Sequence, residues 1–175
     1  MATEIERKFL VSEFDPKQFN ILQIHKITQY YIMDAAPEMR IRRKTTVKGQ
    51  SEYDPKSIHF FAYKSDGSIS REEHEFMIPE AEYHNIFNYF LDKIKSISKT
   101  RYVLEVNGAR AEVDVYEGNL NGLITAEVEF ISMERAQEFL IPDWFAEEVT
   151  YDKRYKNKNL ASVKNFLQDG VNQPT

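Results

Sequence analysis

Charged and apolar residues alternate along most of this chain, most sharply near the N-terminus. In Glu4-Ile-Glu-Arg-Lys-Phe9, the side chains of Glu4, Glu6 and Lys8 fall at every second position with Ile5 and Phe9 between them. An extended strand sends alternate side chains to opposite faces, so the spacing gives two carboxylates and an ammonium on one face. Residues 38–44 repeat the device, with Glu38, Arg40, Arg42 and Lys44 opposite Met39, Ile41 and Arg43. In 69–76 the shared face carries Arg71, Glu73 and Glu75. Residues 99–106 turn at Asn107-Gly108 and return through 109–116, with Glu112 and Asp114 opposite Ala111, Val113 and Val115. In 123–131, Glu127 and Glu129 alternate with Ala126, Val128 and Phe130. The β-branched and aromatic content of 27–32 and 58–64 predicts two further strands, the second ending in a hairpin turn at Asp66-Gly67.

Helical spacing is rarer. From Pro79 to about residue 95, Ile86, Phe87, Phe90, Leu91 and Ile94 form an apolar stripe that predicts a helix buried against a sheet. Asp15-Pro16 predicts a short helix near 16–25, and two more are expected near 133–140 and 159–168, flanking the segment 142–150. Residues 45–57 read as a polar, mobile loop. Eight strands of this kind, mostly joined by hairpins, predict an α+β, mainly β fold: an eight-stranded antiparallel closed barrel with helices packed outside. Since helices and apolar faces would cover the exterior, the charged faces are expected to line a wet tunnel. The plainer arrangement is a sandwich whose charged faces all meet water; the recurrence of Glu and Arg at paired alternating positions favours the tunnel.

At 175 residues, 42% hydrophobic and 29% charged, the chain is expected to form a single domain over 1–175, with a disordered tail from about 169 to 175. It has no cysteine, which excludes thiol catalysis and thiolate metal sites and suits a cytoplasmic location. A net charge of −5 argues against nucleic acid or a membrane surface as partner, while leaving room for a local basic cavity. No segment has membrane-spanning length, and His25, His59, His74 and His84 lack metal-ligand spacing. A phosphate-binding glycine loop and a serine-nucleophile elbow are both missing.

Carboxylate oxygens hold hard cations such as Mg²⁺ or Mn²⁺, and Arg and Lys hold phosphates. A cavity presenting both therefore suits a metal–polyphosphate complex, because bare carboxylates would repel the polyanion. Glu4-Ile-Glu-Arg-Lys8 resembles the N-terminal signature of the CYTH superfamily, the triphosphate tunnel metalloenzymes. The likeness continues through Arg40-Ile-Arg42, Lys64, Arg71-Glu-Glu-His-Glu75, Lys99-Thr-Arg101-Tyr102, Glu112-Val-Asp114, Ala126-Glu-Val-Glu129 and residues 148–161.

That resemblance implies an eight-stranded tunnel and Mg²⁺- or Mn²⁺-dependent hydrolysis of a triphosphate, inorganic tripolyphosphate to pyrophosphate and phosphate. By position, it implies Glu4, Glu6, Asp114, Glu127 and Glu129 as metal ligands, with Glu73, Glu75 and Glu112 in second rank. Lys8, Arg40, Arg42, Lys64, Arg71, Arg101 and Arg154 would bind substrate, and Lys8 and Tyr31 would be catalytic. Gln29-Tyr30-Tyr31 matches a Gln-Gly-Tyr stretch of bacterial members, with Tyr30 in place of the glycine. The alternatives are a class IV adenylyl cyclase acting on ATP, a thiamine, nucleoside or RNA 5′-triphosphatase, and a polyphosphate-binding module without turnover. The partner is then a small triphosphate, and the assembly a monomer or homodimer.

Overall fold

The computed structural model describes residues 5–49, 57–64 and 73–170. Glu4, Arg71, the Asp66-Gly67 turn and the tail 171–175 lie outside the described residues.

Among the described residues nine strands form one antiparallel sheet: β1 (Ile5–Val11), β2 (Gln23–Ile32), β3 (Glu38–Lys48), β4 (Ser57–Lys64), β5 (Glu73–Ile78), β6 (Ile94–Val106), β7 (Ala109–Tyr116), β8 (Ile124–Phe130) and β9 (Phe145–Glu148). Their spatial order is β5-β4-β3-β2-β6-β7-β8-β1-β9. The expected eight-stranded closed barrel is thereby corrected. β9 occupies the outer edge of β1, and among the described residues no ladder joins β9 to β5, so the sheet stays open. It is nonetheless strongly curled. In a flat sheet β1 and β2 would stand four strand spacings apart, roughly 19 Å, yet Leu10 of β1 packs on the same hydrophobic cluster as Tyr31 of β2.

The predicted period of two holds along β1, β6, β7 and β8. Phe9, Val11, Leu104, Val106, Ala111, Val113, Ala126 and Val128 pack on one face, with Phe139 and Phe145, into the main core. Phe14, Phe19 and Trp144 cap it with stacked and tilted rings. The opposite, charged face is sealed at one end by a second cluster, in which Tyr31, Ile97, Tyr116, Leu120 and Leu123 meet Leu160. The β6–β7 hairpin turns at Asn107-Gly108 as predicted, both with positive φ (49° and 79°), the geometry of the tight hairpin turn.

The helices are shorter than predicted. The stretch 16–25 forms only a 3₁₀ turn, Pro16–Gln18, because the chain is extended again by Leu22, whose N–H donates to the Val103 carbonyl. The long helix ends early, as α1 (Glu80–Tyr89); Ile94 already pairs with Ile32 in the β2–β6 ladder, which overrides the helical stripe. The anchor of α1 is Tyr83, whose ring is tilted against that of His59 on β4 at 4.7 Å between centroids, while Leu91 of the stripe is more than half exposed. The last three helices are α2 (Met133–Glu138), α3 (Asn157–Leu160) and α4 (Phe166–Asp169), so the segment expected as one helix over 159–168 is two short ones. β5 continues past the predicted end at residue 76 to Ile78. β3 runs to Lys48, into the expected loop. Among the described residues no helix is long and apolar enough to cross a membrane.

Candidate functional site

The antiparallel register alone brings the charges into rows. Across β1, β8, β7 and β6, Lys8 stands opposite Glu127, Glu127 opposite Glu112, and Asp114 opposite Arg101. Directly opposed residues share a face and lie about 5 Å apart, so four strands deliver one ionic cluster. Arg101 is its hub. Its Nε and Nη2 donate to Asp114 at 2.7 Å each, Nη2 also reaches Glu127 at 3.1 Å, and Nη1 bonds Glu112. Lys99 donates to the same Asp114, and both are almost wholly buried, at 2% and 0% exposure. The Lys8 Nζ lies 3.0 Å from Glu127 and donates to the Tyr155 carbonyl at 2.9 Å.

Ionisation follows from this packing. Burial alone would raise the Glu127 carboxyl, but Lys8, Lys99 and Arg101 hold it well below the usual range. Asp114 is likewise held down against burial by Arg101 and Lys99. Burial opposes the Lys8 charge, yet Tyr116, Glu127 and Asp114 raise its pKa above the ordinary lysine value. Lys99 goes the other way. Burial, helped by Arg101, overcomes the pull of Asp114 and brings it down to about 8.

A second group sits on β3 and β5. Arg40 Nη2 donates to Glu75 at 2.8 Å, and Arg42 Nη2 bonds the same carboxylate oxygen. The Arg42 guanidinium and the Lys44 ammonium lie 5.3 and 5.7 Å from the Phe60 ring centroid. Among the described residues the buried Arg42 Nε has no hydrogen-bond partner, a state that costs about 1–3 kcal/mol unless another group relieves it. Burial, Arg40 and Arg101 all weaken the Arg42 charge, and Glu75 is its nearest support. Beside it, Tyr31 is buried and accepts from Gln29 Nε2 at 2.7 Å. Burial pushes its hydroxyl up to about 12 although Arg40 and Lys8 pull against it, so it is a phenol at neutral pH.

The structure thus gathers Lys8, Tyr31, Arg40, Arg42, Glu75, Arg101, Glu112, Asp114 and Glu127 on one face. Glu6 and Glu129, both exposed, oppose each other across β1 and β8, next in line to Arg110 on β7. Arg154 stands apart: half-exposed on the 3₁₀ turn Lys153–Tyr155, it is bound to Asp152 at 2.5 Å. Lys64 and Glu73 are placed by their backbones, opposite each other across β4 and β5; their side chains, like Glu4 and Arg71, lie outside the described residues. Sequence reasoning left Lys99 and Lys44 without a role. The signal for Lys99 was its place two residues before Arg101, on the same face.

The donor set suits a hard divalent cation under one condition. Among the described residues no three acidic or histidine side chains are grouped to hold a metal. Mg²⁺ needs only one or two carboxylates when phosphate oxygens and water complete its octahedron. The opposed Glu6 and Glu129 supply two, so the fit is to a cation bridged by substrate and not to an all-protein cage.

The CYTH domain family model matches residues 2–163. An inorganic triphosphatase of Nitrosomonas europaea is 38% identical over 162 residues, covering 91% of this chain and 97% of that protein. One from Acetivibrio thermocellus is 34% identical over 175 residues, covering 96% of this chain and all of that protein. A crystal structure of an inorganic triphosphatase superposes with a TM-score of 0.65 at 35% identity, over 90% of this chain and 96% of that one.

Proposed function

The chain belongs to the CYTH family, and from that premise we propose that it is an inorganic triphosphatase, hydrolysing tripolyphosphate to pyrophosphate and phosphate with Mg²⁺ or Mn²⁺. The observation that carries the reading is the Arg40–Arg42 pair: two largely buried guanidiniums meet at the carboxylate of Glu75, and among the described residues the buried Arg42 Nε donor has no hydrogen-bond partner. An anion with several oxygens answers the unused donor and suits two adjacent guanidiniums.

Arg40 and Arg42 bind the phosphate chain from β3, while Lys99, Arg101 and Lys8 bind it from β6 and β1. Water attacks the terminal phosphorus in line; the new O–P bond forms as the bridging P–O bond breaks, the electron pair leaves with pyrophosphate, and of the two water protons one stays on the released phosphate and the other passes to a phosphate oxygen of the leaving pyrophosphate. Lys8 and Tyr31 are both protonated at neutral pH, so their part is to donate hydrogen bonds to phosphate oxygens as charge shifts toward the leaving group. When bound, a divalent cation at Glu6 and Glu129 supplies further neutralisation of phosphate oxygens. Glu127 and Asp114 keep Lys8, Lys99 and Arg101 aimed and charged.

The test is phosphate release from tripolyphosphate, ATP and thiamine triphosphate, each with Mg²⁺ and Mn²⁺, by the native protein and by Glu127→Gln. Tripolyphosphate should be the preferred substrate, and the variant should lose on the order of 100-fold in kcat with an unchanged circular dichroism spectrum. No release from tripolyphosphate with either metal, or full activity in a folded Glu127→Gln protein, refutes the proposal.

A further inference from the structure

Lys8 is held from behind. On the outer side of β1, away from the charged face, Arg7 Nε and Nη2 bind the two oxygens of Glu148 at 3.0 and 2.6 Å, and Arg7 Nη1 donates to the Ala136 carbonyl at 2.8 Å. Glu148 Oε1 in turn accepts from the Thr150 hydroxyl at 2.7 Å. The Thr150 hydroxyl oxygen accepts from the Lys8 backbone N–H at 3.0 Å. On the other side of the same residue, the Lys8 carbonyl accepts from the Val149 N–H at 2.8 Å.

This arrangement has a local cause. β9 ends at Glu148, and its register with β1 shifts between Phe9 and Val11. The Lys8 N–H therefore faces a point where the partner strand offers no ladder carbonyl. A side-chain oxygen takes that place. A threonine hydroxyl both accepts and donates, and here its donor half is fixed by a carboxylate whose other contacts are bidentate to Arg7. Arg7 and the Thr150 hydroxyl hold the Glu148 carboxyl below its ordinary value, so it is a carboxylate throughout the neutral range. The chain of contacts runs from α2, through Arg7, Glu148 and Thr150, to the peptide group that carries the Lys8 side chain. None of the three relay side chains takes part in the ionic cluster described above.

We propose that Thr150, locked by Glu148 and Arg7, is a positioning residue that sets where the Lys8 ammonium stands in the site. It acts through the backbone of Lys8 and touches no substrate. The proposal rests on the reading that Lys8 meets the triphosphate, so its test carries one readout that needs no turnover. Thr150→Val keeps the shape and removes both hydrogen bonds; Thr150→Ser keeps the hydroxyl. Exchange of the Lys8 amide hydrogen, followed by NMR on the full chain without ligand, should quicken in Thr150→Val and return to the native rate in Thr150→Ser. With tripolyphosphate and Mg²⁺, Thr150→Val should lose about 10- to 100-fold in kcat, the scale of a displacement near 1 Å, with KM little changed; Thr150→Ser should recover it. Glu148→Gln should fall between them, which keeps the test decisive if Thr150→Val does not fold.

Unchanged amide exchange in Thr150→Val, or native kcat despite faster exchange, overturns the proposal, as does a Thr150→Ser protein no better than Thr150→Val. If the native protein fails to hydrolyse tripolyphosphate, the functional reading falls, and the amide exchange decides by itself whether the clamp exists.

Discussion

Arg101 grips Asp114 with two nitrogens, each 2.7 Å from a carboxylate oxygen, and the carboxylate has no exposure to solvent. Such a pair is costly to form and costlier to break, since the survivor is left charged in a dry place. Asp114→Asn leaves Lys99 and Arg101 without their shared counter-charge. It should lower unfolding free energy by about 3–5 kcal/mol in urea titrations at pH 7. A loss below about 1 kcal/mol would show that Glu112 and Glu127 compensate.

Lys99 carries a pH prediction. Its pKa is depressed to about 8 by burial, so the ammonium is present below that pH and lost above it. If it binds phosphate, the KM for tripolyphosphate should rise between pH 7 and 9.5 in the native protein. In Lys99→Arg, whose guanidinium does not titrate in that range, the rise should disappear. Parallel curves for the two proteins would exclude Lys99 as its source.

His25 predicts behaviour in acid. Hydrogen-bonded to Thr46 and Gln23, it is pushed down to about 4, first by burial and then by Lys44 and Arg101. Between about pH 6.5 and 4 the unfolded chain therefore takes up a proton that the native state refuses. Stability from this residue is full above the upper limit and declines as pH falls. His25→Gln should show a shallower loss between pH 7 and 4.5 in urea unfolding than the native protein; an identical slope in both would remove His25 from the account.

Two glycines separate backbone strain from crowding. Gly108 and Gly49 both have positive φ, 79° and 84°. A methyl group at Gly108 meets nothing within 4 Å, whereas at Gly49 it would sit 2.7 Å from the Leu22 carbonyl oxygen. Gly108→Ala should cost about 1 kcal/mol, the strain alone. Gly49→Ala should cost clearly more, because the Leu22 backbone must give way; equal thermal shifts in the two variants would contradict that.

Much of the site was legible because it is written with period two. Alternation in Glu6–Lys8, Arg40–Arg42, Glu112–Asp114 and Glu127–Glu129 assigned each side chain to its face, and hairpin register then aligned the rows. What escaped was whatever depends on partners distant in sequence. β9 has four residues, of which only Phe145 is buried, so nothing in Phe-Ala-Glu-Glu marks a strand until β1 offers its edge. Phe90, Leu91 and Ile94 fit a helix locally; the ladder to β2 decided against it. The depressed pKa of Lys99 arises from burial, which composition does not reveal.

Because every charge of the cluster comes from a strand position and none from a flexible connection, the protein is sensitive to length in an all-or-nothing way. Removing Arg7 would turn phenylalanine toward the ions and lysine toward the oily interior, inverting that whole segment at once. Divergence within these strands is therefore confined to exchanging one side chain for another, and gains or losses of residues are left to the turns between them.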